Sequence, residues 1–131
     1  MRALFALLGS KARGLEFHIK GYRWARSELA RVRADLPVSG VRTRAQVPDL
    51  TAPAGRRGVF RALAKTDQNC LERALVLQAW WSTSVMPAPD VVIGVRRGES
   101  ILEAHAWVDG SDPWFDESYG EILRLRFTPD Q

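Results

Sequence analysis

The sequence has one cysteine, two histidines and no long apolar run, and each scarcity excludes a class of protein. Because Cys70 has no partner cysteine, the chain cannot form an internal disulfide, and a disulfide-stapled fold is excluded. One Cys and two His are also too few for a usual structural zinc site without carboxylates. No apolar stretch approaches the roughly 20 residues that span a bilayer. We therefore expect no membrane span, no metal and no cofactor.

The amino terminus does not read as a secretion signal. Six apolar residues at 3–8 are shorter than the hydrophobic region of a signal peptide, and no small-residue cleavage site follows them. The sequence therefore predicts a cytoplasmic protein.

Basic residues exceed acidic ones by 19 to 15, and 16 of the 19 are arginine. The net charge of +4 suits a polyanion and an acidic peptide equally well. A basic RNA- or peptide-binding module, in which Cys70 is only a core side chain, is therefore one alternative. The chain lacks the interleaved aromatic and basic residues of RNA-recognition modules and has no DNA-binding motif, so we expect no nucleic-acid partner.

The length favours a single domain over residues 1–131, in which a helical region and a long loop (1–57) precede the main core (58–131). Apolar residues recur at helical spacing over 15–36, and Pro37 is expected to stop this helix. A shorter helix at 3–8 is expected to break at Gly9 and Ser10. Residues 37–58 carry glycines and prolines without periodicity, which predicts the long loop.

The second half predicts an α+β fold, with a buried cysteine helix packed on a small antiparallel sheet of three to five strands. Residues 59–65 have room for a short helix. Thr66 and Asp67 are good N-cap residues for the next helix, which carries Cys70 in its first turn. Four strands are expected, at residues 91–95, 101–108, 114–116 and 122–127.

Cys70 is the first candidate for chemistry. At a helix start, free N–H groups and the helix dipole stabilise a thiolate and leave donors for an oxyanion. Its neighbours Asp67, Gln68 and Asn69 are polar, as at the mouth of a cleft. The alternative is a small hydrophobic core residue.

His105 is the second candidate. Alternation places it on one face of its strand with Glu103 and Trp107, and the flanking Ala104 and Ala106 leave room around the ring. An imidazole beside a thiol can accept its proton and form the ion pair of cysteine hydrolases. A satisfied core histidine is the alternative.

Asp116 is the third candidate, as an acid on a neighbouring strand that accepts the second N–H of His105. Glu117 is a competitor that periodicity does not exclude. Asp109 and Asp112 also compete, although each precedes a turn residue.

The sequence around these residues resembles the leader peptidases of lasso-peptide biosynthesis, which belong to the transglutaminase-like superfamily. The matching motifs are Cys-Leu-Glu-Arg-Ala-Leu from Cys70, Val-Ile-Gly-Val from Val92, and Ala-His-Ala-Trp-Val around His105, followed by Asp116. The detailed resemblance covers about residues 58–118. It implies a papain-like or transglutaminase-like core.

The resemblance also implies an activity, which is cleavage between leader and core in a ribosomally made precursor by a bacterial cytoplasmic peptidase. Cys70 would be the nucleophile, His105 the base and acid, and Asp116 the orienting carboxylate. Gln68 and Asn69 would assist the oxyanion, or else serve only as helix-start residues. The family favours Thr at the penultimate leader position.

Two partners follow from the resemblance: a separate winged-helix protein that presents the leader, and an ATP-dependent cyclase that acts afterwards. The exposed side of the 15–36 helix and the 37–58 loop are candidate docking surfaces. An acyl transferase with the same triad is the second enzyme interpretation, since the two reactions share their first half.

Overall fold

The computed structural model describes residues 2–49, 55–65 and 69–128, with side chains described from residue 14 onward. The described elements are α1 (Arg2–Ser39), a 3-10 turn (Gly40–Arg42), α2 (Arg56–Ala64), α3 (Cys70–Trp81), β1 (Val91–Arg97), β2 (Leu102–Val108) and β3 (Gly120–Leu125). The predicted α+β architecture, with the cysteine helix packed on a small antiparallel sheet, is confirmed. None of the described helices combines the length and apolar character needed to cross a membrane.

The first helix is longer than expected, because neither predicted break interrupts it. α1 runs through Gly9 and Ser10 and continues past Pro37 to Ser39. Pro37 has no N–H to donate to the carbonyl of Arg33, so the helix gives up one hydrogen bond here but continues for two more residues. The helix ends instead at Gly40, whose φ of +56° is a left-handed conformation that glycine adopts at helix ends.

Within the predicted loop at 37–58, the described residues form helical and packed segments, while residues 50–54 lie outside the described part of the chain. Residues 43–49 form neither helix nor strand, and Thr43 and Ala45 are buried. The Glu28 carboxylate of α1 accepts the N–H of Gln46 at 2.9 Å, and the Arg31 guanidinium donates to the carbonyl of Arg44 at 2.7 Å. These bonds hold the segment against the helix.

α3 is the centre of the molecule, since it packs against α1 on one side and against the sheet on the other. Ala74 to Trp80 are all buried, as the apolar run predicts. Gln78 is fully buried, and its amide donates to the carbonyls of Pro89 at 3.0 Å and Leu125 at 2.9 Å. This side chain joins the helix to the start of β1 and the end of β3.

The sheet has the order β2-β1-β3, and both pairings are antiparallel. Val91, Ala106 and Val108 belong to the core on the face that packs against α3. By alternation, His105 and Trp107 project from the other face. β2 is an edge strand in the described sheet, so the outer N–H groups of its backbone are available to other parts of the chain.

The strand predicted at 114–116 is wrong. Asp112 begins a turn in which its carbonyl accepts the N–H of Phe115, and Asp116 begins another that ends at Tyr119. These local bonds use main-chain groups that a strand would need for pairing. Within the described residues the strand after β2 is Gly120–Leu125, and it pairs with β1 rather than with β2.

Candidate active site

Cys70 lies in the first turn of α3, as the sequence predicts, but it is the first helical residue, because the N-cap is Asn69 rather than Thr66 or Asp67. The side-chain oxygen of Asn69 caps this helix by accepting the N–H groups of Leu71 at 3.0 Å and Glu72 at 3.4 Å. The N–H of Cys70 itself finds no acceptor among the described residues. As one of the first N–H groups of α3, this donor has no acceptor within the helix, and it lies on the same residue as the thiol, where an oxyanion formed by thiol attack would need it.

The Cys70 thiol contacts strand β2 beside the candidate base. Its Sγ accepts a hydrogen bond from the N–H of Ala106 at 3.3 Å, and this nitrogen is bonded directly to the carbonyl carbon of His105. The structure therefore brings the helix-borne cysteine to the edge of the strand that carries the histidine. Neither ring nitrogen of His105 is hydrogen-bonded to Sγ among the described contacts.

The His105 ring is held by aromatic neighbours and by one main-chain acceptor. The ring centroids of Trp107 and Tyr119 lie 5.9 Å and 5.1 Å from its own. Its Nε2 lies 2.8 Å from the carbonyl oxygen of Trp114. Residue 94 lies opposite His105 in the sheet, and a Cβ there would meet the Trp107 ring at 2.7 Å, so Gly94 makes this packing possible.

Asp116 lies in the loop between β2 and β3, and its carboxylate has other partners. One oxygen accepts the N–H of Ser118 at 2.9 Å and the hydroxyl of Ser118 at 2.7 Å, while the other lies 3.4 Å from an Arg96 nitrogen. Hydrogen bonds from Ser118 lower the pKa of Asp116, and the nearby charges of Arg96 and His105 lower it further. The described contacts include no hydrogen bond between Asp116 and His105, so its role in a triad stays a prediction.

Asp112, which the sequence assigns to a turn, has a carboxylate that joins two stretches of main chain. Its two oxygens accept the N–H groups of Trp114 and Val108, each at 2.7 Å. The other two competitors face outward, since Asp109 pairs with Arg124 at 2.7 Å and Glu117 is exposed. The Asp-Pro dipeptide at 112–113 predicts the turn, but nothing in the sequence indicates the hydrogen bond between Asp112 and the Val108 N–H.

Arg73 is a site residue that the sequence analysis did not single out, although it belongs to the Cys-Leu-Glu-Arg-Ala-Leu motif that begins at Cys70. It lies one turn after Cys70 on α3, and its guanidinium carbon is 4.2 Å from the ring centroid of Trp114. Burial lowers the pKa of Arg73, and the negative charges of Asp112 and Cys70 raise it. A half-buried cation therefore lies near both the thiol and the Asp112 carboxylate.

Of the two residues expected to stabilise the oxyanion, only Asn69 lies within the described residues. Gln68 lies outside the described residues, as do the N-cap candidates Thr66 and Asp67. The side-chain oxygen of Asn69 is committed to capping α3, and an oxyanion role for Asn69 stays a prediction. Within the described part of the chain, no group of three His, Cys, Asp or Glu side chains is placed to hold a metal ion.

Comparison with known proteins gives one match. The family model described as the transglutaminase-like superfamily matches residues 15–129, which is most of the chain. No curated protein and no solved structure matches it.

Proposed function

Since the chain belongs to the transglutaminase-like superfamily, we propose that it is a cysteine peptidase that removes the leader from a ribosomally made lasso-peptide precursor. This superfamily includes cysteine proteases and acyl transferases. The observation that supports a Cys-His mechanism is the hydrogen bond from the Ala106 N–H to the Cys70 thiol. This bond holds the thiol against the residue that directly follows His105 in the strand. The choice of a leader peptide as substrate rests on the matching motifs around Cys70, Gly94 and His105.

The proposed reaction begins with proton transfer from the Cys70 thiol to His105. The thiolate attacks the carbonyl carbon of the last leader residue, so that a carbon–sulfur bond forms and the carbonyl electrons move to oxygen. The N–H of Cys70, at the start of α3, donates to this oxyanion. When the intermediate collapses, the carbon–nitrogen bond breaks and His105 returns the proton to the departing amine of the core peptide.

The second half releases the leader. His105 removes a proton from water, the hydroxide attacks the thioester carbon, and the Cys70 thiolate leaves. The products are a leader with a free carboxylate and a core peptide with a new amino terminus. Asp116 is the proposed third member of the triad from the resemblance, and the nearby His105 is one of the groups that lower the pKa of Asp116.

The proposed partners are a winged-helix protein that presents the leader and an ATP-dependent cyclase that uses the released core. The candidate docking side of α1 exposes apolar side chains in its first half, of which Leu15 is 60% exposed and Ile19 42%. These two residues are one helical turn apart and share a face. A partner surface with apolar side chains would fit this face.

The deciding experiment incubates a precursor peptide carrying Thr at the penultimate leader position with this protein, with and without the leader-binding protein, in ¹⁸O-labelled water. We expect a single cut that the partner accelerates, with ¹⁸O in the leader carboxylate. Cys70→Ala should abolish the cut. Ser84→Ala, which removes an exposed hydroxyl beyond the other end of α3, should cut like the wild type.

Two outcomes would redirect the proposal. If an added primary amine appears in an amide with the leader and no ¹⁸O does, the protein is an acyl transferase. If Cys70→Ala still cuts, the nucleophile assignment fails. Binding of an RNA or peptide by that variant, lost steeply as salt rises, would then favour the basic binding module.

A further inference from the structure

The hydrogen bond between His105 and Trp114 determines which ring nitrogen is available as a base. The Trp114 carbonyl oxygen can only accept, so Nε2 of His105, 2.8 Å away, must carry the proton. A neutral ring with its proton on Nε2 has its free electron pair on Nδ1. We infer that the main-chain carbonyl of Trp114, positioned by Asp112, orients the His105 ring and leaves Nδ1 as the nitrogen that acts as the base in the proposed reaction.

Asp112 is suited to this positioning role because its carboxylate joins the loop to the histidine strand. One oxygen holds the N–H of Trp114 and the other holds the N–H of Val108, which lies on β2 together with His105. Bonds from N–H groups to a charged carboxylate are stronger than those between neutral groups. Loss of the carboxylate should therefore release the Trp114 peptide from the strand.

The Trp114 side chain is fixed at the same time to the cysteine helix. Arg73 of α3 covers one side of the ring system at 4.2 Å, and the Phe60 ring stacks on it with centroids 6.2 Å apart and an interplanar angle of 18°. Trp114 thus connects the helix that carries Cys70 to the ring of His105. A shift of this one residue would change the relative placement of the thiol and the base.

Asp116 is less suited to hold the ring, because its oxygens are occupied by Ser118 and face Arg96. Asp112 is therefore the positioning residue, and Asp116 does not hold the ring. The catalytic consequence of this arrangement rests on the proposed peptidase activity, whereas the proton position on the ring does not.

The test reads the His105 ring directly by ¹⁵N NMR, at a pH where the ring is neutral. We expect the wild type to carry its proton on Nε2, and Asp112→Ala to give a mixture of both tautomers. Asp116→Ala should keep the wild-type tautomer. Asp109→Ala is the matched control, since this exposed aspartate lies in the same loop but pairs with Arg124.

Activity provides the second readout. In Asp112→Ala we expect kcat to fall by about 10- to 100-fold with little change in KM, because small displacements of a catalytic group slow the chemistry more than binding. The rate at which iodoacetamide alkylates Cys70 should also change its pH profile in Asp112→Ala, and this measurement needs no peptide substrate. Asp109→Ala should leave both unchanged.

Three results would overturn the inference: a wild-type ring with its proton on Nδ1, an unaltered tautomer in Asp112→Ala, or loss of the tautomer preference in Asp116→Ala alone. Asp112→Asn keeps one acceptor and replaces Asp112→Ala if the latter does not give a cooperative thermal unfolding transition. The wild-type spectrum decides the proton position without any variant. If no precursor is cleaved, the peptidase proposal fails, while the NMR result still decides how His105 is held.

Discussion

The guanidinium of Arg73 lies over the ring of Trp114, with 4.2 Å between its central carbon and the ring centroid. This contact places a positive charge one helical turn from the thiol of Cys70. Cation–aromatic contacts contribute about 0.5–2 kcal/mol, with the larger values in sites shielded from water. The contact therefore holds Trp114 against α3 and keeps a cation near the Cys70 thiol and the Asp112 carboxylate.

Removing this charge should slow the reaction of the thiol. In Arg73→Met we expect the alkylation rate of Cys70 at neutral pH to fall by about 3- to 10-fold, because a nearby cation favours the thiolate, which is the reactive form. The alkylation rate of Arg73→Lys should lie between those of the wild type and Arg73→Met, since this variant keeps the charge but loses the planar stacking. The measurement is the rate of iodoacetamide labelling by mass spectrometry.

The matched control for this prediction is Arg61→Met, which removes an exposed arginine from α2. Its alkylation rate should equal that of the wild type. Equal rates for Arg73→Met and the wild type would show that the arginine has no influence on the thiol.

The ion pair between α1 and α3 should contribute to stability more than an ordinary surface pair. The Glu72 side chain is only 4% exposed, and Arg33 reaches it at 3.1 Å. Because Arg33→Met leaves a buried carboxylate without its partner, and Arg33 itself is 60% exposed, we expect the free energy of unfolding to fall by about 2 kcal/mol. Urea titration of the variant measures this loss.

Lys20→Met is the control, since the pair of Lys20 with Glu16 is more than half exposed on both sides. It should change the free energy of unfolding by less than about 0.5 kcal/mol. Similar losses in both variants would mean that burial of Glu72 does not strengthen its pairing.

The crossing of α1 and α2 should not tolerate a methyl group. A Cβ at Gly21 would overlap the backbone carbonyl of Gly55, and backbone cannot rotate away as a side chain can. We expect Gly21→Ala to lower the free energy of unfolding by about 1–3 kcal/mol, since overpacking forces the helices apart. Thermal and urea unfolding measure the change.

Gly14→Ala offers the opposite expectation on the same helix. A Cβ at Gly14 meets nothing within 4 Å, so only helix propensity acts, and stability should rise by about 0.5–1 kcal/mol. A loss of stability in Gly14→Ala would contradict the described path of α1.

The carboxyl of Asp116 should titrate below its ordinary range, because Ser118 donates two hydrogen bonds to it. A carboxyl whose pKa is lowered on folding stabilises the folded state above its unfolded pKa, and this stabilisation is lost as the pH falls through the folded pKa. Ser118→Ala should raise the pKa of Asp116. Carboxyl ¹³C NMR measures it, and an unchanged titration would exclude the Ser118 hydroxyl as the main cause.

The elements whose signals are local could be predicted from the sequence. The apolar run that follows Thr66 and Asp67 predicts a buried helix with Cys70 in its first turn, and the structure has this helix, although its N-cap is Asn69. The β-branched residues of β1 and the polar turn before β2 predict the hairpin, and alternation along β2 predicts that His105 and Trp107 share a face. These inferences succeed because a helix cap, a turn and an alternating strand depend on residues close together in the chain.

Other expectations failed where one local signal outweighed another close to it in the chain. The proline signal at 37 was real but too close to the end of α1 to stop it, and the stop came at Gly40. Apolar residues at 114 and 115 suggested a strand, yet Asp112 bends the chain there. Each local pattern reports a preference, and these preferences can conflict.

The residue pattern alone shows which residue types are available for chemistry, that a buried helix carries Cys70 in its first turn, and which strand carries the histidine. Only the tertiary structure decided that the Cys70 thiol meets the Ala106 N–H and that the His105 ring meets the Trp114 carbonyl. In both contacts the group contributed by the distant partner belongs to the main chain. Every residue type except proline carries the same N–H and C=O groups, so the identity of a residue does not reveal which distant side chain will bind them.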